Sequence, residues 1–233
     1  MNKVTALKVA ELAGVSQSAV SRVFTPGASV STKTALKVRK AAQELSYRPN
    51  VLARSLITGK SRIIGLVVAY LDNYFYPAAL EKLSNSLKEE GYHVLVFMAS
   101  NDDQSTEQVI EELLDYQVDG IITASVGISN DLTARCEAAG VPVVLFNRTQ
   151  DKASHSAVTS DNFLGGQTAA RFLYEAGHKR IAYIGGWAGA STQRDREAGF
   201  RFGLKNADAI LFAHALGNFS TDIAKAEARN MFS

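Results

Sequence analysis

Gly14 limits the start of this chain to few arrangements. Ahead of it, Thr5 stands as a capping residue before a short run, Ala6 to Ala13, whose Val9, Ala10 and Ala13 share one apolar side. Glycine suits the left-handed backbone that ends a helix. Val15 then points inward, and Ser16 can cap a second helix toward Phe24. Two helices joined by about three residues around a glycine must cross steeply, which is the helix-turn-helix geometry. A third helix is expected from Thr32 to Ser46, after a loop with Pro26 and Gly27. Its Val38, Ala41, Ala42 and Leu45 recur at helical spacing and should cover the other two helices.

On the second helix Ala19, Val20 and Val23 suit packing, leaving Gln17, Ser18, Ser21 and Arg22 elsewhere on its surface. The N-terminal end of such a helix is the part that enters a DNA major groove. Gln17 can pair with an adenine edge and Arg22 with guanine O6 and N7, while Ser16 and Ser21 suit phosphate oxygens. Taken singly, each is more often just a surface residue. Charge adds weight. Eleven basic and two acidic residues put positions 1–62 at +9, so with the whole chain at +2 the remainder stands at −7. A basic head on an acidic body is the pattern of a polyanion-binding module, the alternative being a solvated basic surface. Lys33, Lys37 and Lys40 fall on the far side of the third helix and add general attraction to phosphate, or only solubility.

The strings VAELAGVSQSAVSRVF, VSTKTALKVRKAAQELSYRPN and VLARSL resemble the head and hinge of the lactose-repressor (LacI/GalR) family. The resemblance implies Gln17, Ser18 and Arg22 as base readers, with Thr5, Ser16 and Ser21 completing the DNA-binding set. It also implies a hinge helix over Asn50 to Ile57, between Pro49 and Gly59, that folds only on specific DNA and pairs with its twin in the minor groove. Leu56 carries over as the apolar wedge between central base steps and Ala53 as its small neighbour. Independently, eight residues are too few for a stable isolated helix, which needs about 12–15. The other reading of Leu56 is ordinary packing on the body.

From Ser61 onward short apolar runs alternate with amphipathic helices. Strands are expected at 63–70, 93–98, 120–124 and 141–146, with helices from Pro77 to Glu90, Gln104 to Tyr116 and Asp131 to Ala139. A second series is expected to open with AVTS at 157–160, followed by a helix from Phe163 to Ala176 and IAYIG at 181–185, and to end in a helical stretch, Thr221 to Phe232. Continuous apolar strands separated by helices indicate parallel sheets covered on both faces, an α/β body. Such sheets bind ligands beyond the carboxyl ends of their strands.

Catalytic patterns are missing. Gly185-Gly186 is only a weak phosphate-loop hint, Gly165-Gly166 reads as close helix packing, and the four histidines are scattered. There is no HExxH or GxSxG, no cofactor motif, and no metal-ligand spacing around the lone Cys136. The chain reads as a non-enzyme. No apolar run reaches the roughly 18 residues of a membrane span, and the first residues lack a secretory h-region, so a cytoplasmic protein is expected.

The family resemblance continues through GYHVLVF, VDGIITAS, VPVVLFNR, SDNFLGG, GHKRIAYIGG and QRDREAGF. It implies a periplasmic-binding-protein-like core of two α/β lobes with a small molecule, a sugar or sugar acid, in the cleft. Arg196 matches the family's cleft arginine, its alternative being a surface ion pair with Asp195 or Glu197. Asp161, at a strand end, either accepts hydrogen bonds from sugar hydroxyls or caps the next helix. Asn73, Phe75 and Arg148 are further effector-binding candidates, Phe75 as an apolar face for a sugar ring. Four segments follow: a helix-turn-helix domain at 1–48, a hinge at 49–60, a first α/β lobe at 61–160 and a partial second lobe at 161–233. Family members carry a further segment that completes the second lobe and adds dimer contacts, so a truncated product with an incomplete second lobe is expected. The reading is a homodimeric regulator, most simply a repressor, of a double-stranded operator. The alternatives are an effector-blind DNA-binding remnant and a cytosolic solute-binding α/β protein.

Overall fold

The computed structural model describes residues 4–25, 27–49, 59–69, 71, 73–99, 103–150, 156–205 and 207–233, with only the backbone at 103 and 104. The chain divides into two compact units, Met1–Ser61 and Arg62–Ser233.

In the first unit, α1 (Ala6–Ala13), α2 (Gln17–Val23) and α3 (Thr32–Glu44) surround a small core. Gly14 ends α1 in the left-handed region, φ 65° and ψ 42°, where a side chain would strain the backbone. Ser16 Oγ accepts from Ala19 N at 3.2 Å and Ser31 Oγ from Thr34 N at 3.2 Å. Each bond serves an N–H of the first helical turn, where the regular helix pattern supplies no acceptor, and Ala19 N also reaches the Ser16 carbonyl at 3.0 Å. Thr5 departs from expectation: it holds the N-cap position of α1 without a side-chain hydrogen bond. Val9, Val20 and Val38 are fully buried, with Ala41 and Ala42 beside them, while Leu45 is half-buried against that cluster. Burying each valine stabilises the head by about 1.5–3 kcal/mol. The hinge positions 50–58, with Ala53 and Leu56, lie outside the described residues.

In the second unit, five parallel strands form one sheet in the order β2-β1-β3-β4-β5. They are β1 (Ile63–Val68), β2 (His93–Met98), β3 (Gly120–Ala124), β4 (Val143–Phe146) and β5 (Ser156–Val158). Helices α4 (Phe75–Glu89), α5 (Asp103–Asp115) and α6 (Asn130–Ala138) connect the first four. The period-2 alternation of β1 shows why both faces are covered. Val67 packs with Ile110, Leu113 and Ile121, whereas Leu66 and Val68 pack with Tyr76 and Ala124.

A second, two-stranded parallel sheet pairs β6 (Arg180–Gly185) with β7 (Ile210–Leu216). Around it lie α7 (Asn162–Glu175), α8 (Ser191–Leu204) and α9 (Thr221–Phe232). One expectation is corrected here. The segment expected to open the second series is instead β5, the edge of the first sheet, paired through Val144↔Ser156 to Phe146↔Val158. Its three residues are all exposed, so no apolar run marks which sheet it joins. Strand β7 and helix α8 were not anticipated. The contact face of α8 mixes Gly199 and Gly203 with Phe200 and Leu204, which weakens the periodic signal.

Candidate DNA-contact face and ligand cleft

The face of α2 is set by its packing. Val20 is buried and Ala19 and Val23 are half-buried, which turns Gln17, Ser18, Ser21 and Arg22 to solvent. Ser16 is exposed as well, but its hydroxyl is engaged by Ala19 N and lies 2.9 Å from Ser18 Oγ. Exposed Lys33, Lys37 and Lys40 sit on α3. The turn at Gly14 thus leads into a short helix with an exposed amide at its start and an exposed guanidinium in its last turn, the donor set suited to purine edges.

In the body, the strand order reverses between β1 and β3, where open α/β sheets form a crevice at their carboxyl ends. A cavity of about 500 Å³ occupies this end of the unit. Asn73 and Phe75 reach it from beyond β1, Arg148 from beyond β4, and Arg196 from α8. Four of the five effector candidates therefore line one space. The fifth, Asp161, does not: its Oδ1 accepts from Leu164 N at 2.8 Å as the N-cap of α7. A carboxylate at this position satisfies the helix end and complements its dipole.

Arg196 is not held by Asp195 or Glu197. Its Nε donates to Asn162 Oδ1 at 2.8 Å. Glu197 instead takes Arg201 at 2.8 Å and His214 at 3.2 Å. Burial pushes the Glu197 carboxyl up, yet the Arg201 hydrogen bond and the His214 charge outweigh it and hold the group below the usual glutamate range. Arg148 is 6% exposed, with its guanidinium carbon 5.4 Å from the centre of the Trp187 ring. It also borders a second cavity of about 420 Å³, shared with Trp187 and Arg194. Phe75 stacks on Phe146 at 5.9 Å with the rings 5° apart, which fixes an apolar wall.

Several lining residues had no sequence signal. Tyr76 Oη and Ser125 Oγ are hydrogen-bonded, and Asn147 Nδ2 donates to Tyr76 Oη at 2.8 Å. This joins the ends of β3 and β4 to the first turn of α4. Asn147 directly precedes Arg148 at a strand end, a position that could have flagged it. Phe219 and Thr221 follow the unanticipated β7 and could not have been found. Ser125, Asn147 and Phe219 have φ of 60°, 65° and 58°, an uncommon backbone for residues with side chains. Such strained positions collect at ligand-binding sites. Among the described residues no group of three His, Cys, Asp or Glu could hold a metal ion. No helix there is long and apolar enough to cross a membrane.

Comparison with known proteins places both units. Residues 64–233 match the periplasmic binding protein domain family, and residues 7–50 match the bacterial regulatory proteins of the lacI family. The maltose regulon regulatory protein MalI of Escherichia coli K12 is 33% identical over 208 residues, covering 87% of this chain and 61% of that protein. A sucrose operon repressor of Lactococcus lactis is 38% identical over 178 residues, covering 76% of this chain and 55% of that protein. The chain thus spans somewhat over half the length of the curated relatives it matches. Among solved structures, a lac repressor dimer bound to operator and the anti-inducer ONPF is similar at TM-score 0.86 and 26% identity, over 99% of this chain and 70% of that one. A complex of the transcriptional regulator CelR with cellobiose is similar at TM-score 0.67 and 28% identity, with the same coverage. The chain belongs to the lacI family of bacterial regulatory proteins, with a periplasmic-binding-protein domain behind a helix-turn-helix head.

Proposed function

We propose that this protein is a sequence-specific transcription regulator, a repressor that binds operator DNA as a homodimer and releases or grips it according to a small molecule in the body cleft. The observation that carries the reading is the outer face of α2, where Gln17, Ser18 and Arg22 stand exposed just beyond the Gly14 turn. In this role Gln17 and Arg22 read base edges, Ser16, Ser21 and Thr5 position the head, and Ala53 and Leu56 act from the hinge. The operator-bound dimer among the similar structures supports two copies. The relatives' names, sucrose and ribose operon repressors among them, support a sugar or sugar acid as effector. The protein acts in the cytoplasm, where its DNA lies, and catalyses nothing.

Coupling between cleft and DNA is thermodynamic. An effector that binds one lobe arrangement more tightly shifts the population toward it, and operator affinity changes by the same differential free energy. Asn73, Phe75, Arg148 and Arg196 are the effector contacts in this scheme. Asp161 belongs to the helix cap that supports them.

Retention of genomic fragments on the immobilised protein, followed by elution with a sugar panel, tests this. The expected result is retention of a few defined fragments above bulk DNA and their release or tighter retention with one sugar class. Retention proportional only to fragment length and salt would contradict it, since that is nonspecific phosphate binding.

A further inference from the structure

On the outer face of α2 the hydroxyl oxygens of Ser16 and Ser18 stand 2.9 Å apart, both on exposed residues. A serine hydroxyl has one proton to donate and two lone pairs to accept with. Ser16 Oγ already uses one lone pair on Ala19 N at 3.2 Å. Two arrangements of the pair remain. When Ser16 donates to Ser18, the Ser16 proton is occupied and the Ser18 proton is free. When Ser18 donates to Ser16, both Ser16 lone pairs are filled, its proton is free, and Ser18 keeps only lone pairs. A backbone phosphate oxygen of DNA accepts and does not donate. Contact between the Ser16 hydroxyl and a phosphate is therefore compatible with the second arrangement alone.

We infer that Ser16 sets the hydrogen-bond polarity of Ser18: seated on a phosphate, Ser16 takes the Ser18 proton and leaves Ser18 able only to accept from a base edge. This rests on the proposed reading of the α2 face as the one that meets DNA. In the major groove the donating groups are the amino groups, N6 of adenine and N4 of cytosine, whereas guanine O6 and thymine O4 accept. An acceptor-only serine therefore selects an amino base, A or C, over a keto base, G or T, on the strand it faces. Its neighbours do not impose this choice. The Arg22 guanidinium only donates, and the Gln17 amide both donates and accepts. Ser18 is the residue that touches the base, and Ser16 is a positioning residue that acts through it.

Duplexes selected from a random pool by the full chain, then titrated as single-base variants, test the inference. The position that Ser18 faces is the one whose preference disappears in Ser18→Ala. There the amino bases should bind roughly three- to tenfold tighter than the keto bases, the worth of one neutral hydrogen bond. Replacing the favoured base by its analogue without the exocyclic amino group should lose the same factor. Ser16→Gly removes the hydroxyl at a position where glycine is tolerated as a cap. It should weaken binding to all duplexes and flatten the preference, because Ser18 regains its proton. Ser16→Asp still accepts from Ala19 N and from Ser18 but repels phosphate. It should also weaken all duplexes, yet leave the amino preference standing. A cap with no hold on Ser18 would leave the preference intact in both variants. Should Ser16→Asp bind too weakly to titrate, Ser16→Gly and the amino-free analogue decide the matter. A keto base at the Ser18 position, an unaffected amino-free analogue, or a preference that survives Ser16→Gly overturns the inference. So does a set of preferences that Ser18→Ala leaves unchanged. Recovery of no preferred duplex overturns the reading of the α2 face, and the inference with it.

Discussion

Gly166 of α7 lies directly against the backbone of Arg196 on α8: a β-carbon at Gly166 would stand 2.0 Å from the Arg196 carbonyl oxygen. The approach is reciprocal, since a β-carbon at Gly199 would stand 1.9 Å from the Phe163 carbonyl oxygen. The helix that carries the cleft arginine is thus placed by backbone-to-backbone contact. Alanine at Gly166 would gain about 1 kcal/mol in helix propensity. It would lose more by forcing the two helices apart, since overpacking costs about 1–3 kcal/mol and here the obstacle is backbone. Gly166→Ala should therefore lower the thermal midpoint and weaken ligand binding together. An unchanged midpoint in a differential scanning experiment would contradict this packing.

Glu197 makes the second sheet acid-sensitive. Its carboxyl is held below the usual glutamate range despite burial, by Arg201 and His214. A group with a depressed folded pKa contributes stability that is present above its unfolded pKa and lost as pH falls through the folded value. Melting temperature should fall on acidification below about pH 4.3, the ordinary glutamate range. Glu197→Gln should start lower at neutral pH and show a flatter acid limb. Parallel pH profiles for the two proteins would count against this network.

Cys136, the only cysteine, is fully buried in the core beside the five-stranded sheet. Burial pushes its thiol up and keeps it protonated. A thiol reagent at neutral pH should label it only through opening of the fold, at a rate that climbs with denaturant. Labelling as fast as a free thiol in native buffer would show that the core around Ile110 and Leu132 does not close as described.

How far residues alone reveal such a molecule depends on whether the signal is local. Gly14 and Ser16 are local, and the turn and that cap stand where their side chains predict, whereas Thr5 makes no cap bond. Strands β1 to β4 of the first sheet are apolar runs and read directly. Strand β5 has three exposed residues and no such run, so its sheet is decided by pairing with β4. Helix α8 is built on the absence of side chains at Gly199, which no periodicity reports. At the cleft, Asn73, Phe75, Arg148 and Arg196 were legible from strand ends and family motif. The bond between Tyr76 and Ser125, 49 positions apart, depends on sheet register. The hold of Asn162 on Arg196 depends on the crossing of two helices.

In the head, Arg22 and Lys37 should separate reading from attraction. Both are exposed, one on the α2 face and one on α3. Arg22→Ala should relax discrimination at one base pair by about 1–3 kcal/mol. Lys37→Ala should weaken binding to all duplexes alike and shallow the salt dependence. Anisotropy titrations against an operator and its single-base variants would reveal the opposite pattern if the roles were misassigned.

The most direct measurement is selection of duplexes from a random pool by the full chain, with the mass of the retained complex determined by light scattering. Two copies presenting the start of α2 should recover an inverted repeat, with half-sites spaced for adjacent major grooves, and a complex of two chains per duplex. Recovery of no common sequence at low salt, or of a lone half-site held by one chain, would contradict the account.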